Sequence, residues 1–205
     1  MDINILSCYL SQLKALAFTS YKMAKHNKLV APFLKWVGGK RQIMPSIIEN
    51  LPKNVHTYKY IEPFIGGGAV LFHLQPKNAI INDFNIELIN VYEVIRDNLN
   101  DLITDLKKHK NTSEYFYEIR GLDRTDDFNK LTPVQRASRI IYLNKTCFNG
   151  LYRVNNAGEF NAPFGRYKNP NIVNEPALKA VSKSLNSSNI VTKKGDYSGV
   201  LKMIV

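Results

Sequence analysis

The stretch Glu62-Pro63-Phe64-Ile65-Gly66-Gly67-Gly68-Ala69 constrains the fold more than any other part of the chain. It joins a short strand, read over Tyr58 to Phe64, to a helix read over Ala69 to Leu74, and a second apolar strand follows at Ala79 to Asn82. Strand, glycine turn, helix and strand make a βαβ unit, and such units build parallel sheets. Glycines at that turn let the backbone bend sharply and let a ligand approach where a Cβ would intrude. Asp83 stands at the end of the second strand, where an acidic residue in nucleotide-binding α/β folds accepts hydrogen bonds from ribose hydroxyls. The spacing fits an adenosyl ligand. A tight strand-to-helix turn without a ligand is the alternative. The glycines do not follow the G-x-G-x-x-G order of dinucleotide folds, and Gly38-Gly39-Lys40 lacks the upstream glycine and the following Ser or Thr of a phosphate loop.

The periodicity elsewhere predicts helices over Ile43 to Leu51, Ile86 to Leu106 and Pro133 to Leu143, and a strand over Ile190 to Tyr197. Pro52 ends the first of these helices. Residues 112–175 break the α/β rhythm. They are dense in Lys, Arg, Asn and Tyr, with turn signals at Asn149-Gly150 and Ala157-Gly158 around a short strand, Tyr152 to Asn155. They read as an inserted, mostly α domain carrying a basic hairpin. Four regions follow: an N-terminal extension at 1–29, a cofactor-binding part at 30–110, a recognition part at 111–178, and a return to the α/β domain at 179–205. Within the extension, Ile3, Leu6, Leu10, Leu13 and Leu16 recur at helical spacing.

With 28 Lys and Arg against 17 Asp and Glu, the net charge of +11 favours a polyanionic partner, nucleic acid being the commonest. A generally basic soluble protein is the other reading. Cys8 and Cys147 form no metal-ligand spacing and read as reduced thiols, and the scattered histidines define no metal site. No apolar run reaches the roughly 18 residues a membrane span needs, and the N-terminus lacks the basic start of a secretory signal. The expectation is a cytoplasmic protein without metal or membrane.

Read together, these segments resemble the Dam-type DNA adenine-N6 methyltransferases, most of all the GATC-methylating enzymes of restriction-modification systems. Phe33-Leu34-Lys35-Trp36-Val37-Gly38-Gly39-Lys40 is similar to their N-terminal cofactor motif, Glu62 to Gly68 to their glycine loop, and Asn82-Asp83-Phe84-Asn85 to their ribose motif. Phe148 to Asn155 and Glu159 to Lys168 are similar to their DNA-reading hairpin. The resemblance runs from residue 33 to about 197. It implies a partial Rossmann-like sheet that binds S-adenosyl-L-methionine, with an inserted DNA-recognition domain.

The resemblance also implies roles. Trp36 and Lys40 would meet the methionine half of the cofactor, an indole face suiting a sulfonium cation. Asp83 would hold the ribose, Glu62 would lie near the cofactor's amino group, and Phe64, Gly66 and Gly68 would shape the loop. Asp196 and Tyr197 would stand beside the adenine ring. Arg153 would read guanine with its planar fork. Phe148, Asn149, Leu151, Pro163 and Tyr167 would wedge, stack or position double-stranded DNA, and Arg166 and Lys168 would meet phosphates. For each cation an exposed, unpartnered charge is the plain alternative.

One family feature is missing. The family accepts hydrogen bonds from the target amine, and stacks the flipped base, with an Asp-Pro-Pro-Tyr motif. Among the nine prolines here no two are adjacent, so the motif is absent and no catalytic residue can be named. In the family fold that motif lies on the strand beside the glycine-loop strand. The expectation is a chain that stops before the motif, has an open apolar sheet edge, and is inactive or poorly folded alone. Three origins stay open: an interrupted or partial gene, one half of a split enzyme with a complementing chain, or a remnant that only binds DNA or cofactor.

Overall fold

The computed structural model describes residues 27–202. The amphipathic segment expected over residues 3–16 lies outside them. Among the described residues the architecture is a small parallel sheet with helices packed on it. Strands β1 (Tyr60–Glu62), β2 (Asn78–Asp83) and β3 (Asn189–Lys194) are hydrogen-bonded in that order, all parallel. Helix α1 (Met44–Glu49) precedes β1 and buries no residue. Helix α2 (Ala69–Leu74) forms the crossover from β1 to β2.

The strand β2 is central because its residues are apolar on both faces: Ala79, Ile80 and Ile81 are all buried. Its register places Ile80 against Ile61 on one side and Val191 on the other. The strand predicted over Tyr58 to Phe64 is shorter than expected, since Pro63 cannot donate to a ladder. The third strand ends at Lys194, where Gly195 turns with a φ of 110°.

The single long helix expected over Ile86 to Leu106 is two helices, α3 (Ile86–Asp97) and α4 (Leu99–Leu106), broken at Asn98 with φ −131° and ψ 37°. Both halves keep an apolar stripe, so periodicity alone does not show the break. Asn85 caps α3 by accepting from the Leu88 amide at 3.0 Å. Helix α5 (Ser113–Gly121) follows, and α6 (Pro133–Thr146) opens on a capping box in which Thr132 and Gln135 bond reciprocally. Helix α7 (Glu175–Ser187) leads into β3, and a short α8 (Ser198–Leu201) follows it.

Helix α6 organises the molecule by facing two cores. Ala137, Ile140 and Ile141 join the main core with Leu88, Ile95 and Leu102. Tyr142, Leu143 and Cys147 join a second cluster with Phe116, Phe160 and Ala162. No strand forms over Tyr152 to Asn155. The two arms of that hairpin meet instead through isolated bridges, Val154 with Phe160 and Cys147 with Phe164. Cys147 is buried and free, and burial raises its thiol to about 11.

The second cluster holds a titratable ring. His109 stacks on Tyr142 with centroids 4.3 Å apart, and its two nitrogens share hydrogen bonds with Tyr115 Oη at 2.9 Å and Ser138 Oγ at 3.0 Å. Burial depresses its pKa from the ordinary 6.5 to about 4. Because the folded value lies below the unfolded one, the stabilisation is complete above pH 6.5 and is lost as pH falls toward 4. Denaturant unfolding should therefore show stability dropping by about 3 kcal/mol across that window. The slope should flatten in His109→Phe; an unchanged slope would show that the ring takes up its proton as readily in the folded state as in the unfolded one.

Candidate cofactor and DNA site

The expected cofactor residues converge at the carboxyl ends of β1 and β2. Glu62 ends β1 and is 5% exposed. Its Oε2 accepts from Tyr60 Oη at 2.6 Å and its Oε1 accepts from Lys40 Nζ at 2.9 Å. Lys40 also donates to the Phe64 carbonyl at 2.8 Å, which fastens residues 33–40 to the glycine loop. Burial pushes the Glu62 carboxyl up against the opposing pull of Tyr60 and Lys40, and pushes the Tyr60 phenol well up.

The glycine loop is held from beneath. Gly66 and Gly68 have φ of 51° and 74°, which side chains resist. Asp83 Oδ2 accepts from the Gly66 amide at 3.0 Å and its Oδ1 accepts from the Asn85 amide at 3.0 Å, while Tyr92 Oη donates to the Gly66 carbonyl at 2.9 Å. Buried Asn82 splits its amide protons between the Pro63 and Gly195 carbonyls, each at 3.0 Å, tying the loops that follow the strands together. Around Asp83 stand exposed aromatic rings: Phe64 at 58%, Phe84 at 76% and Tyr197 at 45% exposure. Phe64 and Tyr197 meet at 5.3 Å. Asp196 beside them is fully exposed, and its bond with Ser198 lowers its carboxyl below the usual range.

The residues therefore suit an adenosyl ligand. A half-buried carboxylate offers lone pairs for hydroxyls, solvent-facing rings offer a surface for a flat base, and the glycine loop is free of Cβ atoms. Trp36 has one face of its indole engaged within the protein, by the Tyr152 ring at 4.6 Å and 21°.

The expected DNA-contacting residues also lie together and exposed. Phe148, Asn149, Leu151, Arg153, Pro163, Arg166, Tyr167 and Lys168 all face solvent. Arg153 lies across the hairpin, donating from Nε to Asn161 Oδ1 at 2.7 Å and from a terminal nitrogen to the Asn161 carbonyl at 3.1 Å. The Phe148 amide donates to the Pro163 carbonyl at 2.8 Å, and Asn111 donates to the Tyr167 carbonyl at 2.8 Å. Asn149 and Arg166 both have positive φ, 56° and 53°. Lys145 borders the same surface, and burial together with nearby Lys35 holds its amine below its usual value.

Sequence reasoning passed over Asn144 and Tyr152, which join the two sets of residues. Asn144 was legible as a polar residue on the stripe of Ile140 and Ile141, four and three positions after them. Tyr152 lies inside the hairpin stretch Phe148 to Asn155 but carries no charge to single it out.

Among the described residues no helix is long and apolar enough to cross a membrane, and no cluster of His, Cys, Asp or Glu could hold a metal ion. Residues 36–204 match the family described as D12 class N6 adenine-specific DNA methyltransferase. The chain is 44% identical over 183 residues to the Type II methyltransferase M1.LlaDCHI of Lactococcus lactis subsp. cremoris, covering 88% of this chain and 64% of that protein. It is 46% identical over 188 residues to the Type II methyltransferase M.MjaIII of Methanocaldococcus jannaschii, covering 82% of this chain and 63% of that protein. Over 143 residues it is 36% identical to the DNA adenine methylase of Escherichia coli K12, covering 67% of this chain and 49% of that protein. The chain thus spans under two thirds of the length of these relatives. It belongs to the D12 class of N6 adenine-specific DNA methyltransferases.

Proposed function

We infer that these residues form the S-adenosyl-L-methionine-binding and DNA-reading part of an adenine-N6 methyltransferase acting on GATC within a restriction-modification system. The observation that carries the reading is the convergence of Asp83, the glycine loop and three exposed aromatic rings at one end of the parallel sheet, with an exposed basic hairpin packed beside it. Ligands of open α/β sheets bind at that end. The cofactor, when bound, supplies an activated methyl group. Asp83 would hold its ribose, Phe64, Phe84 and Tyr197 would enclose its base, and Lys40 with Glu62 would meet its amino-acid end. Arg153 would leave Asn161 to fork onto guanine, while Phe148, Asn149, Leu151, Pro163 and Tyr167 position the duplex and Arg166 and Lys168 meet its phosphates. Residues 111–178 would thereby act as the recognition part and 30–110 as the cofactor part.

The group that accepts the amine protons would come from outside these 205 residues, in further sequence or in a complementing chain. Its docking place would be the edge of β1, which has no partner strand among the described residues and is preceded by the exposed Tyr58. A cytoplasmic location accords with such a role.

Binding by two crossed variants tests the reading. Asp83→Asn should weaken S-adenosylmethionine binding at least about tenfold, through loss of a charged acceptor, and leave DNA binding measured without cofactor in place. Arg153→Ala should relax preference for a GATC duplex with a discrimination loss of about 1–3 kcal/mol. If the wild-type chain binds neither ligand at low salt, or if both variants damage both activities equally, the assignment of residues to roles fails.

A further inference from the structure

The cofactor loop and the DNA-reading segment lie far apart in sequence, yet two contacts weld them together. The first is the stack of Trp36 on Tyr152. Tyr152 immediately precedes Arg153, meets Phe160 of the opposite hairpin arm edge-on at 5.6 Å and 71°, and interacts through its hydroxyl with the side chain of Asn85. On its other side Trp36 leans against the glycine loop, since a Cβ on Gly66 would come within 3.1 Å of the indole Cδ1.

The second contact is Asn144, which is 1% exposed. Its Oδ1 accepts from the Lys35 amide at 3.0 Å, and its Nδ2 donates to the Lys35 carbonyl at 2.8 Å and the Gly150 carbonyl at 2.9 Å. Lys35 precedes Trp36, and Gly150 lies two residues before Tyr152. The segments lie close together, since a Cβ on Gly150 would stand 2.5 Å from Lys35 Cδ and 3.2 Å from the Asn144 carbonyl oxygen. A path of direct contact therefore runs from the glycine loop through Trp36 and Tyr152 to Arg153 and Phe160, with one buried amide fixing both segments.

We propose that Tyr152 and Asn144 are positioning residues that set Trp36 at the cofactor loop according to the state of the DNA-reading segment, so that duplex DNA and S-adenosylmethionine bind with positive coupling. The sign follows from geometry. Both ligands need the same two segments in one arrangement, and whichever binds first orders them, so the second has less ordering left to do. Neither residue need touch a ligand. The proposal rests on the functional reading above.

Trp36 is the single tryptophan of the chain, so its emission reports on the stack. Cofactor affinity of the 205-residue chain is measured with and without a saturating GATC duplex, and Trp36 emission is recorded on adding duplex alone. The wild type should bind S-adenosylmethionine about five-fold or more tighter with duplex present, and its emission should change on adding duplex without cofactor. In Tyr152→Leu the ratio should fall to about one and the emission response should vanish, whereas Tyr152→Phe keeps the stack and should keep both. Equal cofactor affinity with and without duplex in the wild type overturns the proposal, as does a full ratio in Tyr152→Leu. If Tyr152→Leu does not fold, the wild-type ratio and emission response decide alone. Binding of both ligands without coupling sinks this inference and spares the functional reading; binding of neither removes both.

Discussion

Asp123→Ala is expected to cost about 3–5 kcal/mol of folding stability, the scale for stripping one partner from a buried ion pair. Asp123 is a hub that holds the hairpin segment proposed to read DNA. Its Oδ2 accepts from Arg139 at 2.8 Å and from the Phe160 amide at 2.7 Å, and its Oδ1 accepts from Arg124 at 2.7 Å. Arg139 is 4% exposed, and its remaining acceptors are the Ile119 and Arg120 carbonyls, both at 2.8 Å. Alanine would leave that guanidinium charged and buried with no carboxylate. Removing both charges should be far milder, because the desolvation cost of the pair disappears with it. Chemical denaturation of Asp123→Ala beside Asp123→Leu/Arg139→Met checks this. A double variant as damaged as the single one would show that the pair acts by packing and not by charge. The loss should also loosen the hairpin, since Phe160 is the edge-on neighbour of Tyr152.

The second large effect is expected at Gly68. Its φ of 74° is a left-handed conformation, and a Cβ there would lie 2.6 Å from Tyr92 Oη and 2.7 Å from Phe72 Cε2. Both rings are themselves buried, at 1% and 3% exposure, so neither can swing aside. Gly68→Ala therefore meets backbone strain of roughly 1–2 kcal/mol together with an overpacking cost of about 1–3 kcal/mol. The melting temperature should fall by about 10 °C. Cofactor affinity should fall as well, because displacing the Tyr92 hydroxyl breaks its bond to the Gly66 carbonyl. Calorimetry and cofactor titration at a temperature where the variant is folded separate the two effects. Wild-type affinity in a destabilised Gly68→Ala would mean that the loop shape does not govern binding.

The carboxyl end of the sheet was legible because its signals are local. Glycines at a strand end, an acid at the next strand end and the apolar stripe of the following helix all lie within residues 58–106, and the helix over Ala69–Leu74 was readable to the residue. Local signals do not reveal the break at Asn98, because α3 and α4 bury stripes of the same kind and the turn depends on how α4 meets α6. The strand expected at Tyr152 did not form for a similar reason. Arg153 and Asn155 bond to their opposite arm, but the pairing is confined to isolated bridges while Phe160 and Ala162 are buried in the second core. What Trp36 touches was beyond reach altogether, since its partner lies on the far side of more than a hundred residues of sequence.

The order of the strands also bears on how the molecule comes to be folded. The middle strand, β2, acquires its neighbour β1 within about twenty residues of sequence, but pairs Asn78 with Asn189 on its other side. A ribosome adding about 5–20 residues per second needs roughly 5–20 s to cover that interval. Throughout that time one edge of Ala79, Ile80 and Ile81 has no partner strand, although these residues are destined for the deepest part of the core. The nascent chain therefore passes through a long period in which a chaperone, or the helices already made, must keep that edge from pairing with another chain.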